Sequence, residues 1–253
     1  TGTATVTPLV GDVVSVAIIG ASFSDKNVGI NKLVAYTGVT LSGPDAGNYV
    51  VSLPIGALAD ITPLALPVTG LAAAGKVYDG TPLATLNGTA AVGALAGDNL
   101  LLAGSATATF SDKNVGTAKP VAVTGYSLAG TDAGNYTLLQ PAALAADITP
   151  LALALTGLSA VDKVYDATTA APLAGTAAVT PLAGDTVTLA GTAVGSFGDK
   201  NVGANKLVGL GGLTLAGTDA GNYQLTPPVG LNASITPAAL SLAVVSVASK
   251  VYD

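Results

Sequence analysis

The residues of this chain best suited to chemistry form an Asp-Lys-Asn triplet that occurs three times, at 25–27, 112–114 and 199–201. Both steps are 87 residues, since 112 − 25 = 87 and 199 − 112 = 87. Asp and Asn oxygens suit a hard cation such as Ca²⁺, so the triplets are candidate calcium sites between repeats. A lysine near Asp or Asn can also form an ion pair or an isopeptide crosslink that resists force. Lys76 and Lys163 are the candidates for that bond.

The same triplet is well suited to a turn. An Asp side chain accepts a hydrogen bond from the backbone N–H two residues further on, Asn tolerates the left-handed region, and glycine supplies positive φ. The Asp-Ala-Gly-Asn-Tyr segments that begin at Asp45, Asp132 and Asp219 follow the same logic. The sequence therefore favours structural corners over metal or covalent sites, and a simple salt bridge over a crosslink. We expect no catalytic residue and no cofactor.

The composition excludes several classes of function. The 253 residues contain no Cys, His, Met or Trp, and the charged residues are nine Lys and fifteen Asp. Thiolate and imidazole nucleophiles and soft-metal sites are therefore excluded. The net charge of −6 repels phosphates, so we expect no nucleic-acid partner. The most apolar stretch, 141–161, is interrupted by Asp147 and Pro150, and we expect no membrane insertion.

The 87-residue step organises the whole chain. It recurs in Asp-Ala-Gly-Asn-Tyr, in Ile-Thr-Pro at 61, 148 and 235, and in Lys-Val-Tyr-Asp at 76, 163 and 250. We predict complete repeats at 64–150 and 151–237, a repeat without its first strands at 1–63, and the first strands of a further repeat at 238–253. A fixed step of this kind is typical of repeat arrays, and we expect both ends to be cuts through a longer one.

The local pattern predicts an all-β fold. Short segments rich in Val, Thr and Leu alternate in period two and are bounded by Gly, Asn, Asp or Pro. Helix signals are weak, and only 141–146 is a candidate short helix. Each repeat is expected to be a small, Ig-like β-sandwich. A single proline, as at Pro63 and Pro150, joins one repeat to the next, so the array should form an extended, rigid rod.

Most aromatic residues occupy fixed columns and are expected to fill the core. The columns are Phe23, Phe110 and Phe197; Tyr49, Tyr136 and Tyr223; and Tyr78, Tyr165 and Tyr252. Tyr36 and Tyr126 lie outside these columns. A binding platform for glycans would need exposed aromatic side chains, and these two are the candidates for unit-specific roles.

Four motifs in order give the chain a resemblance to a known family. The motifs are Lys-Val-Tyr-Asp-Gly-Thr at 76–81, Asp-Lys-Asn-Val-Gly-Thr at 112–117, Ala-Gly-Thr-Asp-Ala-Gly-Asn-Tyr at 129–136 and Ala-Asp-Ile-Thr-Pro at 146–150. The chain resembles the YDG and MBG-type repeats of large bacterial secreted adhesins, including filamentous-haemagglutinin-like proteins exported by two-partner secretion. The third repeat departs by having Ala167 where the family has Gly. The resemblance implies an extracellular or cell-surface location and a role in adhesion, aggregation or biofilm matrix.

Three functions compete on these grounds. The leading one is a structural stalk or filament segment that holds a binding tip away from the cell. The alternative is a module that binds glycans or another cell-surface or matrix ligand through Tyr36 or Tyr126. An enzyme is third, with the carboxylate pair Asp98 and Asp112 as its candidate.

The expected partners are like repeats of the same array or of neighbouring chains. Residues 238–253 supply the kind of segment that 1–63 lacks. One chain's tail is therefore predicted to complete its neighbour by strand addition.

Overall fold

The computed structural model describes residues 4–53, 57–244 and 246–252. Its regular structure is β-strand, apart from three single-turn 3₁₀ segments at Ala46–Asn48, Ala133–Asn135 and Ala220–Asn222. The strands are β1 Ser15–Phe23, β2 Gly29–Ser42, β3 Ala57–Ile61, β4 Leu64–Pro67, β5 Thr69–Ala74, β6 Lys76–Val77, β7 Leu83–Ala91, β8 Leu101–Phe110, β9 Gly116–Ala129, β10 Tyr136–Leu139, β11 Leu144–Thr149, β12 Leu151–Ala154, β13 Thr156–Ala160, β14 Lys163–Val164, β15 Ala170–Ala171, β16 Leu173–Ala178, β17 Thr188–Phe197, β18 Gly203–Ala216, β19 Tyr223–Thr226 and β20 Asn232–Thr236.

The all-β prediction is confirmed, and the candidate short helix at 141–146 is wrong. Residues 144–146 instead begin β11, where Leu144, Ala146 and Ile148 point to one face while the residues between them are exposed. This period-two burial outweighs the helix propensity of the alanines. In the described part of the chain, no helix is long and apolar enough to cross a membrane.

The proline joints lie between strands, as expected. Pro150 is the one residue between β11 and β12. Thr62 and Pro63 separate β3 from β4. Because proline fixes φ and offers no N–H, it ends one strand without a flexible loop. The Ig-like sandwich, the rod and the repeat boundaries at 63, 150 and 237 stay predictions.

The chain forms two compact units, and the first comprises residues 1–72, 87–107 and 123–143. Its main sheet has the order β1-β2-β3, with antiparallel pairing throughout. Strand β4 pairs in parallel with β10, from Leu64 opposite Tyr136 to Pro67 opposite Leu139. Leu66 and Val68 are buried on this pair.

The second unit comprises residues 73–86, 108–122 and 144–253. Its largest sheet has the order β14-β20-β18-β17-β15, and further pairs join β12 with β19, β13 with β16, and β11 with β6 and β9. A core of Ala171, Phe197, Val208, Ala233 and Ile235 packs against Tyr165 and neighbouring apolar side chains. The predicted core role of Phe197 is confirmed here, whereas that of Tyr252 is wrong, because its side chain is exposed.

Ala167 shows what the departure from the family motif costs. Gly80 has a φ of +78°, and Ala167, one repeat later, keeps a φ of +66°. A non-glycine residue is strained in this region. The turn therefore demands a left-handed residue, and the third repeat tolerates alanine there at a cost in stability.

Candidate functional site

The Asp-Lys-Asn triplets are corners, as predicted. Oδ1 of the aspartate accepts a hydrogen bond from the asparagine N–H in each copy, at 2.8 Å for Asp25, 2.7 Å for Asp112 and 2.8 Å for Asp199. A second lysine from the following strand completes each corner, as Lys119 does with Asp112 at 2.7 Å. This lysine holds the pKa of the Asp112 carboxyl below its usual value. The corner carboxylates are thus engaged by lysine within their own repeat.

A second group of acidic residues lies on the opposite loops of each repeat. In the third repeat the Tyr223 hydroxyl donates to Asp185 at 2.7 Å and accepts from the Leu182 N–H at 3.0 Å. Asp219 accepts from the Thr186 N–H at 2.9 Å. We call Asp98, Asp132, Asn135 and Tyr136 the acidic cluster of the second repeat, and Asp185, Asp219, Asn222 and Tyr223 that of the third.

The first junction joins the corner at 25–27 to the acidic cluster of the second repeat, within the first unit. Lys26 forms an ion pair with Asp98 and a second with Asp132 at 3.0 Å. The Val28 N–H donates to Asn135 Oδ1 at 2.8 Å, and Asn135 Nδ2 donates to Asn27 Oδ1 at 3.1 Å. One lysine and one asparagine therefore fix the register of two consecutive repeats.

The second junction repeats this geometry within the second unit. Lys113 pairs with Asp185 at 2.6 Å and with Asp219 at 3.2 Å. Asn222 accepts from the Val115 N–H at 2.9 Å and donates to Asn114 Oδ1 at 3.1 Å. Asn222 is buried, and these bonds satisfy both ends of its amide, as burial of a polar group requires.

Tyr78 adds an aromatic contact to the second junction. Its side chain is only 2% exposed, and its hydroxyl donates to Asp185 Oδ2 at 2.7 Å. Its ring meets that of Tyr223 edge to face, with centroids 5.5 Å apart. Lys113 Nζ lies 5.8 Å from the Tyr78 ring centroid, within cation–π range. Asp185 thus accepts from two tyrosines and one lysine.

The charges of the second junction shift one another's titration. Lys113 lowers the pKa of Asp185 to about 2, with Tyr223 adding to the effect. Asp185 in turn raises the pKa of Lys113. Desolvation and the bond to Asp185 raise the pKa of Tyr223 to about 12 and raise that of Tyr78. At neutral pH the cluster therefore keeps charged Asp and Lys beside neutral tyrosines.

The first junction is the more open of the two. The Lys113 and Asp185 side chains are 34% and 3% exposed, whereas those of Lys26 and Asp98 are 60% and 9% exposed. A cleft of about 460 Å³ lies beside Lys26, Asp98 and Tyr136. The same charged contacts are therefore more solvated at the first junction than at the second.

The Lys-Val-Tyr-Asp motif contains a simple ion pair. Lys76 Nζ lies 2.8 Å from Asp79, and Lys163 Nζ lies 2.8 Å from Asp166. Asp253, the third aspartate of this column, lies outside the described residues. Lys76 and Lys163, the two lysines considered for a crosslink, therefore each form the salt bridge that the sequence favoured.

Other sequence candidates occupy different surroundings. Tyr36 and Tyr126 are half-buried, and Tyr36 lines an open apolar cavity of about 830 Å³ with Phe23. Asp98 binds Lys26 and Tyr136, while Asp112 binds Lys119. Across the described residues, no three carboxylates come together in a group that could hold a metal ion.

The junction role of the triplets was not predicted from the sequence. The local pattern predicts a corner at 25–27 and a candidate carboxylate pair at Asp98 and Asp112, and not a contact between Lys26 and Asp98. The sequence carries no signal for this contact. Lys26 and Asp98 are 72 residues apart, as are Lys113 and Asp185, but any two positions of an 87-residue repeat keep a constant separation whether or not they touch.

Comparison with known proteins supports the motif assignment. The family model of the YDG domain matches residues 1–55, 62–144 and 149–230. The chain belongs to the YDG domain family. No curated protein matches it, and no solved structure matches it. The predicted YDG resemblance is confirmed, and the adhesin and two-partner secretion context stays a prediction.

Proposed function

We propose that this YDG protein is a structural segment of a bacterial extracellular fibre, either the stalk of an adhesin or a biofilm-matrix filament. The observation that carries the proposal is the junction, in which the corner of one repeat binds the acidic cluster of the next. The same lysine, aspartate and asparagine contacts occur at both junctions. The same types of polar side chain therefore connect consecutive repeats at both junctions.

Such junctions suit a mechanical role. An ion pair alone holds two groups loosely, but the Asn222 amide and the Val115 N–H impose direction as well as distance. Tyr78 excludes water from Asp185 at the second junction, and a lower local dielectric strengthens the ion pair. A repeat fixed in this way to its neighbour transmits tension along the array. An extended, rigid rod of tandem Ig-like sandwiches is the architecture that we propose.

The chemistry of the carboxylates favours a structural role over catalysis. A general acid needs a raised pKa at neutral pH, whereas lysine neighbours lower the pKa of both Asp98 and Asp112. We therefore propose no enzymatic activity, no cofactor and no nucleic-acid partner. The partners that we propose are like repeats in the same or neighbouring chains.

Electron microscopy of the native bacterial surface, with gold-labelled antibody raised against the full chain, tests the proposal. We expect label along fibres that project from the cell or fill the matrix between cells. Label confined to the cell interior would overturn it. A glycan array probed with the full chain and with Tyr36→Ala tests the alternative, and binding lost in that variant would favour a ligand-binding module.

A further inference from the structure

The predicted repeat 151–237 has paired strands at the points where tension along the chain would enter and leave it. Strand β12 directly follows Pro150, and β20 ends at Thr236, directly before Pro237. Proline fixes φ and favours an extended chain before it. A pull along the chain therefore reaches these strands without first straightening a flexible loop.

Two early strands of this repeat pair in parallel with two late ones, all within the second unit. Strand β12 pairs with β19 along its whole length, beginning with Leu151 opposite Tyr223. Strand β14 pairs with β20, beginning with Lys163 opposite Ile235. The start of the repeat is thus held at two places by its end.

Parallel pairing decides how these strands are loaded. In a parallel pair, the amino end of one strand and the carboxyl end of the other lie at opposite ends of the pair. Opposite pulls on those two ends slide the strands past each other, so all the backbone hydrogen bonds between them are loaded at once. The adjacent ends of an antiparallel hairpin, such as β17 with β18, would instead be peeled apart one bond at a time. A parallel pair therefore resists such a pull more strongly than a hairpin of the same length.

A threonine closes each parallel pair with two further hydrogen bonds. Thr226 O accepts from the Leu155 N–H at 3.0 Å, and the Thr226 hydroxyl donates to Leu153 O at 3.2 Å. Thr236 O accepts from the Tyr165 N–H at 2.8 Å, and the Thr236 hydroxyl donates to a carbonyl oxygen of β14 at 3.3 Å. Each threonine thus binds the opposite strand through both its backbone and its side chain.

Buried apolar side chains shield these pairs from water. Leu153 and Leu155 are buried beside β19, and Ile235 of β20 is only 1% exposed. Hydrogen bonds are stronger in such a dry environment. One repeat earlier in the second unit, β6 pairs in parallel with β11, and Ile148 of β11 is equally buried. The shielded parallel pair is therefore a recurring feature of this unit.

We propose that the parallel pairs β12–β19 and β14–β20 form a mechanical clamp that sets the force at which the repeat 151–237 unfolds. Tension along the chain loads both pairs in shear, and the repeat stays folded until they fail. The hairpin of β17 and β18 carries load only afterwards. The inference goes beyond the proposed structural role, on which it rests, by naming the part of the fold that withstands tension.

Constant-force spectroscopy of the full chain, stretched between handles at its two ends, tests the clamp. The chain has no cysteine, so Ala190→Cys with Thr214→Cys introduces a single disulfide between paired residues of β17 and β18. Neighbouring strands are close enough for this bond. When oxidised, it withholds 214 − 190 = 24 residues from extension, which is about 80 Å. It therefore marks the unfolding step of this repeat while leaving the clamp unchanged.

Two matched double variants, both carrying the marker disulfide, compare the clamp with antiparallel pairs. Thr226→Val with Thr236→Val deletes the two hydroxyl bonds of the clamp. Thr156→Val with Thr188→Val deletes two hydroxyl bonds across the antiparallel pairs β13–β16 and β17–β18, which reach carbonyl oxygens at 3.1 Å and 3.3 Å. Both variants make the same change at two strand positions, so strand propensity changes in the same direction.

The clamp variant should raise the unfolding rate of the marked step about fivefold or more at a fixed load, because two bonds that break in the transition state are already missing. The antiparallel-pair variant, and oxidation of the marker disulfide itself, should each change that rate by less than about twofold. Equal rates for the two double variants, or a slower step on oxidation of the marker, would overturn the inference. Fibre labelling on cells tests the structural role separately, so either result would leave that proposal standing.

Discussion

Replacement of Tyr78 by phenylalanine isolates the hydroxyl that reaches across the second junction. The ring, its edge-to-face contact with Tyr223 and its position beside Lys113 should all be retained. The variant loses one hydrogen bond to a charged carboxylate, which is worth about 1.5–3 kcal/mol. Asp185 keeps its bonds to Lys113 and Tyr223. We therefore expect the free energy of unfolding to fall by about 1.5 kcal/mol, at the low end of this range.

Tyr78→Ala should be more severe. It removes a buried aromatic side chain, and such truncations cost about 3–5 kcal/mol. Tyr165 supplies the matched control, because it occupies the same motif position in the third repeat but is only half-buried. We expect Tyr165→Phe to change the free energy of unfolding by less than about 0.5 kcal/mol.

Urea unfolding followed by far-UV circular dichroism measures these differences, and a double-mutant cycle of Tyr78→Phe with Asp185→Asn isolates their coupling. Equal losses of unfolding free energy for Tyr78→Phe and Tyr165→Phe, together with zero coupling to Asp185, would show that the Tyr78 hydroxyl does not stabilise the junction.

Four further predictions concern residues of the second unit. Because the folded pKa of Asp185 is lowered from 3.8 to about 2, its stabilising contribution is complete above pH 3.8 and is lost as the pH falls towards 2; Asp185→Asn should flatten this acid limb in urea titrations at stepped pH. The pKa of Tyr223 is raised from 10.0 to about 12, so its contribution to stability is present below pH 10.0 and is lost as the pH rises through 12. Ultraviolet titration of the phenols should show a late-ionising tyrosine that is absent from Tyr223→Phe. Asn222→Ala should lower the free energy of unfolding by about 1–3 kcal/mol, because it leaves the Val115 N–H unpaired, and should speed hydrogen exchange of that amide. Ala167→Gly should raise the free energy of unfolding by about 1 kcal/mol, because it relieves the left-handed alanine. A destabilised Ala167→Gly protein would show that this turn is not strained.

Local patterns predicted much of the fold, because turn chemistry and strand periodicity act over a few residues. The Asp112 corner, the strand after Pro150 and the buried Phe197 follow from neighbours in the sequence. The alanines within 141–146 led to the wrong prediction of a short helix, since their helix propensity is weaker than the pairing of β11 with its neighbours. Propensity yields to tertiary contacts in such segments.

The junctions could not be derived from local rules. Lys113 and Asp185 are 72 residues apart, and nothing in either neighbourhood indicates that they meet. Lys113 and Asp185 both recur at the 87-residue step. A residue that recurs because it stabilises its own repeat and one that recurs because it contacts the next repeat give the same sequence pattern. Tyr78 was predicted as a core residue and is buried, yet its hydroxyl bonds to the next repeat rather than its own.

Nuclear Overhauser spectroscopy of the labelled full chain tests whether consecutive repeats are joined through the acidic cluster. With ring centroids 5.5 Å apart, Tyr78 and Tyr223 should give cross-peaks between their ring protons. We expect these cross-peaks in the parent chain and their loss in Tyr78→Ala. Rings that show cross-peaks only within their own repeats would show that the repeats are not joined in this way.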